Sequence, residues 1–355
     1  MKKTYTITYC EWSSYGSILQ ALGLQKTLEK IGVKNSILKQ ENIPSDKYIT
    51  PNLKGKTPKL IAVWLHSKLI KGKSAKRYSE NIKFIDKNIE VEYGESYDRI
   101  LESPPDADCF IAGSDQIWHP DLCRPLFFLD FVKKNTKRIS YAASMGKTVI
   151  AKEKQEEFSR LIKNFEVVSV REQDNVPIIK EYTDKEITVN IDPTFLLDRE
   201  EWRKYEKEYE IKKPYILLYT LYWDKKLNES VKQLSKRTGI KVIAITSSLN
   251  SVFAHKKVYD VDVSQFLWLI DNAEYVITSS FHGVAFSTIF NKKFSAVINP
   301  KLPSRIANLT ELLAIPIVPI EKLSQAEEFD YKKINDKIEE EKQKSLAFLK
   351  KELEI

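Results

Sequence analysis

Glu274-Tyr275-Val276-Ile277-Thr278 runs directly into Ser279-Ser280-Phe281-His282-Gly283, and an apolar helical stretch over 283–290 follows at once. The first five residues favour a strand, the next five are mostly small or polar, and the helix then begins with no further connection. A strand handing over to a helix through so short a turn predicts an α/β unit. In open α/β sheets, ligands bind at the carboxyl ends of the strands. The same pattern recurs outward in both directions. Upstream, Asp108–Ala112 ends in Gly113-Ser114-Asp115, Ile139–Ala143 ends in Ser144-Met145-Gly146, and Val167–Val170 delivers Arg171-Glu172. A helix is predicted over 151–165 between the last two. At the amino end, Tyr5–Tyr9 alternates like a strand, and Ile18, Leu19, Leu22, Leu28 and Ile31 carry helical spacing up to a stop at Gly32. Strands at Tyr215–Leu221 and Lys241–Thr246, with helices over 224–238 and Ser264–Ile270, belong to the same series. Helices alternating with strands predict the α/β class with parallel sheets.

The spacing divides the chain into an amino-terminal α/β domain over 1–205, a second over 206–320 and a helical tail over 321–355. Residues 198–213 are highly charged and read as the connection. Pro44, Pro51 and Pro58 break the pattern between 41 and 80, where Lys54 to Lys76 carries seven lysines and no acid. That stretch reads as an amphipathic helix with a wet basic side, as a basic flap or as a membrane-facing edge.

The chain has 355 residues, enough for two domains at roughly 100–200 residues each. With 42% hydrophobic and 30% charged residues it is too apolar for a disordered chain. The net charge of +8 favours anionic partners, although the basic residues are interleaved with glutamates. Cys10, Cys109 and Cys123 are too few and too irregular for a disulfide framework, which suits a reducing cytoplasm. Met1-Lys2-Lys3 leads into a strand rather than a signal peptide, and no apolar run is long enough to span a membrane. P-loop, dinucleotide-binding, zinc-protease and nucleophile-elbow patterns are missing, as are nucleic-acid modules.

Three loops are suited to chemistry, and each also has a structural reading. Ser13-Ser14-Tyr15-Gly16-Ser17 opens a helix, where unpaired amides attract an anion and Gly16 admits a ligand to the backbone; its serines are equally suited to capping. Asp115 is placed to act as a base or to accept a sugar hydroxyl, with Gln116 and Trp118 beside it; Trp118 would stack on a sugar or fill the core. His282 sits between strand and helix, next to Gly283. There it is either a structural histidine or, against a bound phosphate, a donor or acid. Arg171 and Arg305 are suited to clamping a carboxylate.

In chain order, six blocks resemble the polysaccharide pyruvyl transferase family: Ser14–Gln20, Phe110–Trp118, Ser140–Ser144, Ser169–Glu172, Asp192–Leu197 and Asn272–Ser287. The resemblance implies two Rossmann-like domains in a GT-B-like arrangement. It also implies transfer of an enolpyruvyl-derived group from phosphoenolpyruvate to a sugar, forming a ketal. Carried onto this sequence, it puts Ser279, Ser280, His282, Gly283, Arg171 and Arg305 on the donor side. Ser14, Tyr15, Gly16, Ser17, Gln116 and Trp118 fall on the acceptor side, and His282 and Asp115 are the catalytic pair. Some members carry Arg where this chain has Ser280, so Arg305 or Lys292 is expected to compensate. Glu11 and Trp12 replace the Asn or Asp common before Tyr-Gly, pointing to an unusual acceptor. The expected partners are phosphoenolpyruvate and a sugar or glycolipid acceptor at the inner face of the membrane, without nucleic acid, cofactor or metal. The alternatives are a nucleotide-sugar glycosyltransferase of GT-B type and a non-catalytic glycan-binding relative.

Overall fold

Each half of the chain is organised around a five-stranded parallel sheet. The computed structural model describes residues 2–40, 58–94, 97–133, 135–221, 224–246, 253–298, 304–327 and 329–355. The first sheet contains β1 (Lys3–Ile7), β2 (Lys34–Gln40), β3 (Val91–Gly94), β4 (Cys109–Ala112) and β5 (Lys137–Ser140), in the order β3-β2-β1-β4-β5. Strands β6 (Val168–Val170) and β7 (Ile187–Val189) pair with each other, and bridges Ile139↔Val167 and Ala143↔Val170 tie them to the β5 edge. The second sheet repeats the topology with β8 (Tyr215–Tyr219), β9 (Lys241–Ile245), β10 (Lys256–Val258), β11 (Tyr275–Thr278) and β12 (Phe294–Ala296), ordered β10-β9-β8-β11-β12.

The central strands are buried on both faces, so they read as nearly unbroken apolar runs. The remaining strands carry a weaker signal. Lys34-Asn35-Ser36-Ile37-Leu38-Lys39-Gln40 is mostly polar and is made a strand by pairing to β1 on one side and β3 on the other, and the edge strand Lys256-Lys257-Val258 is short and charged and pairs to β9. Sequence reading misses β2, β3, β7, β10 and β12 for this reason. The helix expected over 151–165 is shorter, a 3-10 turn at Lys152–Lys154 leading into Gln155–Ile162.

In each sheet the strand order reverses beside the first strand, between β1 and β4 and between β8 and β11. The loops leaving these neighbours diverge and leave a crevice. The halves meet through a continuous apolar core: Tyr15 stacks on Phe266 at 4.5 Å between centroids, and Trp202 meets Phe286 edge-on at 5.0 Å. The connection 198–213 contains a helix, Arg199–Arg203, closed by a capping box between Asp198 and Glu201. The carboxyl-terminal helix Tyr331–Leu353 crosses back to the first half. There Ser345 Oγ accepts from Asn190 Nδ2 at 3.2 Å and from the Ile191 amide at 3.1 Å.

Of the basic stretch, 54–57 lies outside the described residues, and the chain from Pro58 to Asn88 is one long helix on which Lys71, Lys73 and Lys76 are exposed. Among the described residues, no helix is long and apolar enough to cross a membrane.

Candidate active site

The carboxyl ends of β4, β6, β7 and β11 deliver Asp115, Arg171-Glu172, Asp192 and His282 to one place between the halves. Asp192 is at its centre. Its carboxylate is fully buried, with Oδ2 accepting from Arg171 Nη1 at 2.7 Å and from Ser114 Oγ at 3.2 Å, and standing 3.7 Å from His282 Nε2. Oδ1 accepts from the Thr194 amide at 3.0 Å and the Thr194 hydroxyl at 2.8 Å. Burial pushes the Asp192 carboxyl up, but His282, Arg171 and the Thr194 amide outweigh it and hold it well below the usual carboxylate range.

Arg171 is buried between carboxylates. Its Nε donates to Glu172 Oε1 at 2.8 Å, and its guanidinium lies 4.0 Å from the Phe281 ring centroid. Burial opposes its charge, and Glu172 followed by Asp192 reverses the balance and holds it protonated. Arg305 is different. Burial and the neighbouring Arg171 lower its pKa, with Asp115, Glu172 and Asp192 only partly offsetting them. Among the described residues Arg305 forms no ion pair, and its Nε is buried without a partner. Arg171 Nη2, Glu172 Oε2 and His282 Nε2 are likewise buried and unpartnered. A native structure satisfies nearly all such groups, so four around one centre single this place out as the candidate site. Arg171, Glu172, Asp192, Phe281, Arg305 and Asn308 line a tight crevice there of about 10 Å³. Asn308 and Asp174 close its rim: the Asp174 amide donates to Asn308 Oδ1 at 3.2 Å, and Asn308 Nδ2 donates to Asp174 Oδ2 at 2.7 Å.

His282 lies in the first turn of the helix Phe281–Ile289, which Ser280 caps by accepting from the Gly283 amide at 3.4 Å. Gly283 is required because a Cβ there would stand 2.2 Å from Thr278 Oγ1. Across the seam the imidazole packs on Gly16. The close approach at Gly16 is therefore made by His282, correcting the expectation that a ligand fills it. Asp115 is half-buried at φ +71°, a left-handed conformation that Asp tolerates better than most residues, and its Oδ1 accepts from the Gln116 amide at 2.9 Å.

Other expected site residues have structural roles. Trp118 is 0% exposed, stacked on Phe128 at 5.6 Å, and its Nε1 donates to the Phe127 carbonyl, so it presents no face to a sugar. Tyr15 is buried and donates its hydroxyl to the Val261 carbonyl at 2.7 Å, joining the halves rather than lining an acceptor site. Ser14 is exposed and caps the first helix, Tyr15–Lys30, while Ser17 Oγ donates to the carbonyls of Glu11 and Ser14. Ser279 Oγ accepts from the Leu221 amide at 2.8 Å, and Gln116 packs over Gly146. Lys292 donates to the Asp271 carbonyl at 2.8 Å, so it does not compensate at Ser280. Arg305 does reach the cluster. Sequence reasoning missed Asp192 as a site residue. Its only signal was an acid directly before Pro193, within a block already noted for its resemblance. A larger open hollow of about 340 Å³ lies beside Lys26, Lys30 and Glu201, but Lys26 and Lys30 are paired with Glu29 and Glu201.

The fold resembles solved sugar-nucleotide enzymes. UDP-GlcNAc 2-epimerase from Methanocaldococcus jannaschii superposes with a TM-score of 0.51 at 14% identity, covering 96% of this chain and 92% of that one. A UDP-N-acetylglucosamine 2-epimerase from Listeria monocytogenes superposes at 0.52 and 10% identity, covering 96% and 90%. These likenesses establish two Rossmann-like domains in a GT-B-like arrangement. No curated protein matches the sequence. The family model for polysaccharide pyruvyl transferase matches residues 15–300, spanning β4 through β11 and every residue of the Asp192 cluster except Arg305, and the chain belongs to that family.

Proposed function

We propose that the protein transfers the enolpyruvyl-derived group of phosphoenolpyruvate to a sugar of a surface polysaccharide or its lipid-linked precursor, forming a pyruvate ketal. The observation that carries this reading is Arg305, a cation beside a second cation and without an ion pair among the described residues, lining the crevice with Arg171 and Asp192. Such an arrangement is stabilised by a small polyanion. In this reading Arg305 and Arg171 Nη2 receive the carboxylate and phosphate, and Asp192 holds Arg171 and orients His282. His282 delivers a proton to the methylene carbon, which becomes the methyl group, and Asp115 takes the proton of the attacking sugar hydroxyl. The sugar oxygen bonds to C2, the C2–O bond to phosphate breaks, and a second sugar hydroxyl completes the ketal as inorganic phosphate leaves with its proton. Three buried, unpaired cysteines are compatible with action in the cytoplasm, and the net charge of +8 with work at an acidic membrane face.

The likeness to epimerases of UDP-GlcNAc supports nucleotide-sugar transfer as the second reading. Incubating the protein with candidate glycolipids and either phosphoenolpyruvate or nucleotide sugars separates the two. A pyruvate-sized mass gain with release of inorganic phosphate is expected. A hexose-sized gain from nucleotide sugars alone would overturn the ketal reading, and neither gain, with glycan still bound, would leave a binding protein.

A further inference from the structure

Arg77 projects from the long helix Pro58–Asn88 into the seam between the halves and is 8% exposed. Its Nη2 donates to the Tyr78 hydroxyl at 2.8 Å, its guanidinium lies 4.6 Å from the Tyr78 ring centroid, and it faces the Tyr15 hydroxyl. Tyr15 has already given its proton to the Val261 carbonyl. Among the described residues the Nε of Arg77 is buried with no partner, and the tyrosines Tyr15 and Tyr78 face its guanidinium.

A guanidinium stays charged at any pH the protein meets, and burying an ion without a counter-charge costs several kcal/mol. The contrast with Arg171 is direct, since that buried guanidinium has two carboxylates. The surroundings of Arg77 favour an anion. Lys71, Lys73 and Lys76 are exposed just upstream on its helix; of the nearby carboxylates, Asp260 stands 3.9 Å from Lys76, and Glu80 and Asp262 lie 3.6 and 3.7 Å from Lys207. Arg77 also acts on Tyr219, which faces Ser280 at the start of the His282 helix.

We propose that Arg77 anchors a second anion subsite at the seam, next to Tyr219 and Ser280, which takes a phosphoryl group of a substrate. Two sources share that chemistry: the phosphate of a small donor, or the phosphate or diphosphate that activates a sugar or glycolipid acceptor. The subsite does not depend on which donor the enzyme uses.

The test is calorimetric titration and thermal unfolding of the full chain with inorganic pyrophosphate and, separately, with phosphoenolpyruvate. Arg77→Met and Arg77→Lys are compared with wild type. Pyrophosphate is expected to bind Arg77→Met at least about tenfold more weakly than wild type. Without ligand, Arg77→Met is expected to unfold at the same temperature or higher, because it removes an unpaired buried ion. Loss of phosphoenolpyruvate affinity in Arg77→Met as well would assign the phosphoryl group to the donor, and its retention to the acceptor; both support the subsite. If Arg77→Met unfolds earlier and still binds pyrophosphate like wild type, Arg77 is a packing residue and the proposal falls. It also falls if wild type does not bind pyrophosphate. Should Arg77→Met not fold, Arg77→Lys decides, with at least about threefold weaker binding expected and unchanged affinity overturning the subsite. Failure of phosphoenolpyruvate alone to bind wild type counts against the donor reading and leaves this one to the pyrophosphate arm.

Discussion

Nδ1 of His282 lies 2.0 Å, and its Cγ 2.5 Å, from where a Cβ on residue 16 would stand, so a glycine in the first half seats the histidine of the second. This contact couples closure of the halves to the position of the imidazole. Gly16→Ala is expected to displace the ring and lower transfer by about 100-fold or more, since misplacement by an ångström has that effect in oriented sites. Thermal unfolding should show a loss of about 1–3 kcal/mol from overpacking. Full activity in a folded Gly16→Ala protein would mean that the contact does not set the ring.

Asp192 is the buried carboxylate on which Arg171 and His282 converge. Asp192→Asn keeps the volume but strands the guanidinium, and should cost about 3–5 kcal/mol at pH 7 together with most of the activity. The folded carboxyl is held below its unfolded value, so its stabilisation is present above about pH 4 and lost as pH falls toward the low folded value. Urea unfolding at pH 7 and pH 3 should therefore show the gap between wild type and variant shrinking at the lower pH. A gap that is constant or grows would contradict the ion-pair account.

Glu206 shows the opposite sign. Burial first, then Asp271, pushes its carboxyl up to about 7, with Arg203 opposing, in the connection between the halves. A carboxyl raised on folding stabilises fully below its unfolded value near 4.5, and that contribution is lost as pH rises through about 7. Glu206→Gln should accordingly stabilise the protein at pH 8 by about 1–2 kcal/mol, allowing for solvent screening, and have little effect at pH 4. Unfolding curves at the two pH values decide; equal effects at both would refute it.

Trp118 fills the first half's core between Phe128 and Phe165. Trp118→Ala should lower stability by about 3–5 kcal/mol, while Trp118→Phe should be milder and leave the acceptor KM unchanged. A raised KM in a fully stable Trp118→Phe protein would restore a sugar-stacking role.

What the sequence determined by itself was local. The alternation of apolar runs with small-residue turns specified parallel α/β halves, because strands buried on both faces must be apolar and their carboxyl-end turns must be small or polar. It also placed Asp115, Arg171 and His282 at strand ends, where chemistry is possible. The tertiary structure decided the rest. Edge strands such as Lys256–Val258 exist through pairing alone. Trp118 and Tyr15 are indistinguishable by type from ligand-stacking aromatics until their neighbours are known. Asp192 acquires its role only when folding brings the ends of β6, β7 and β11 together, because the charge a carboxylate faces once buried is set by residues distant in the chain.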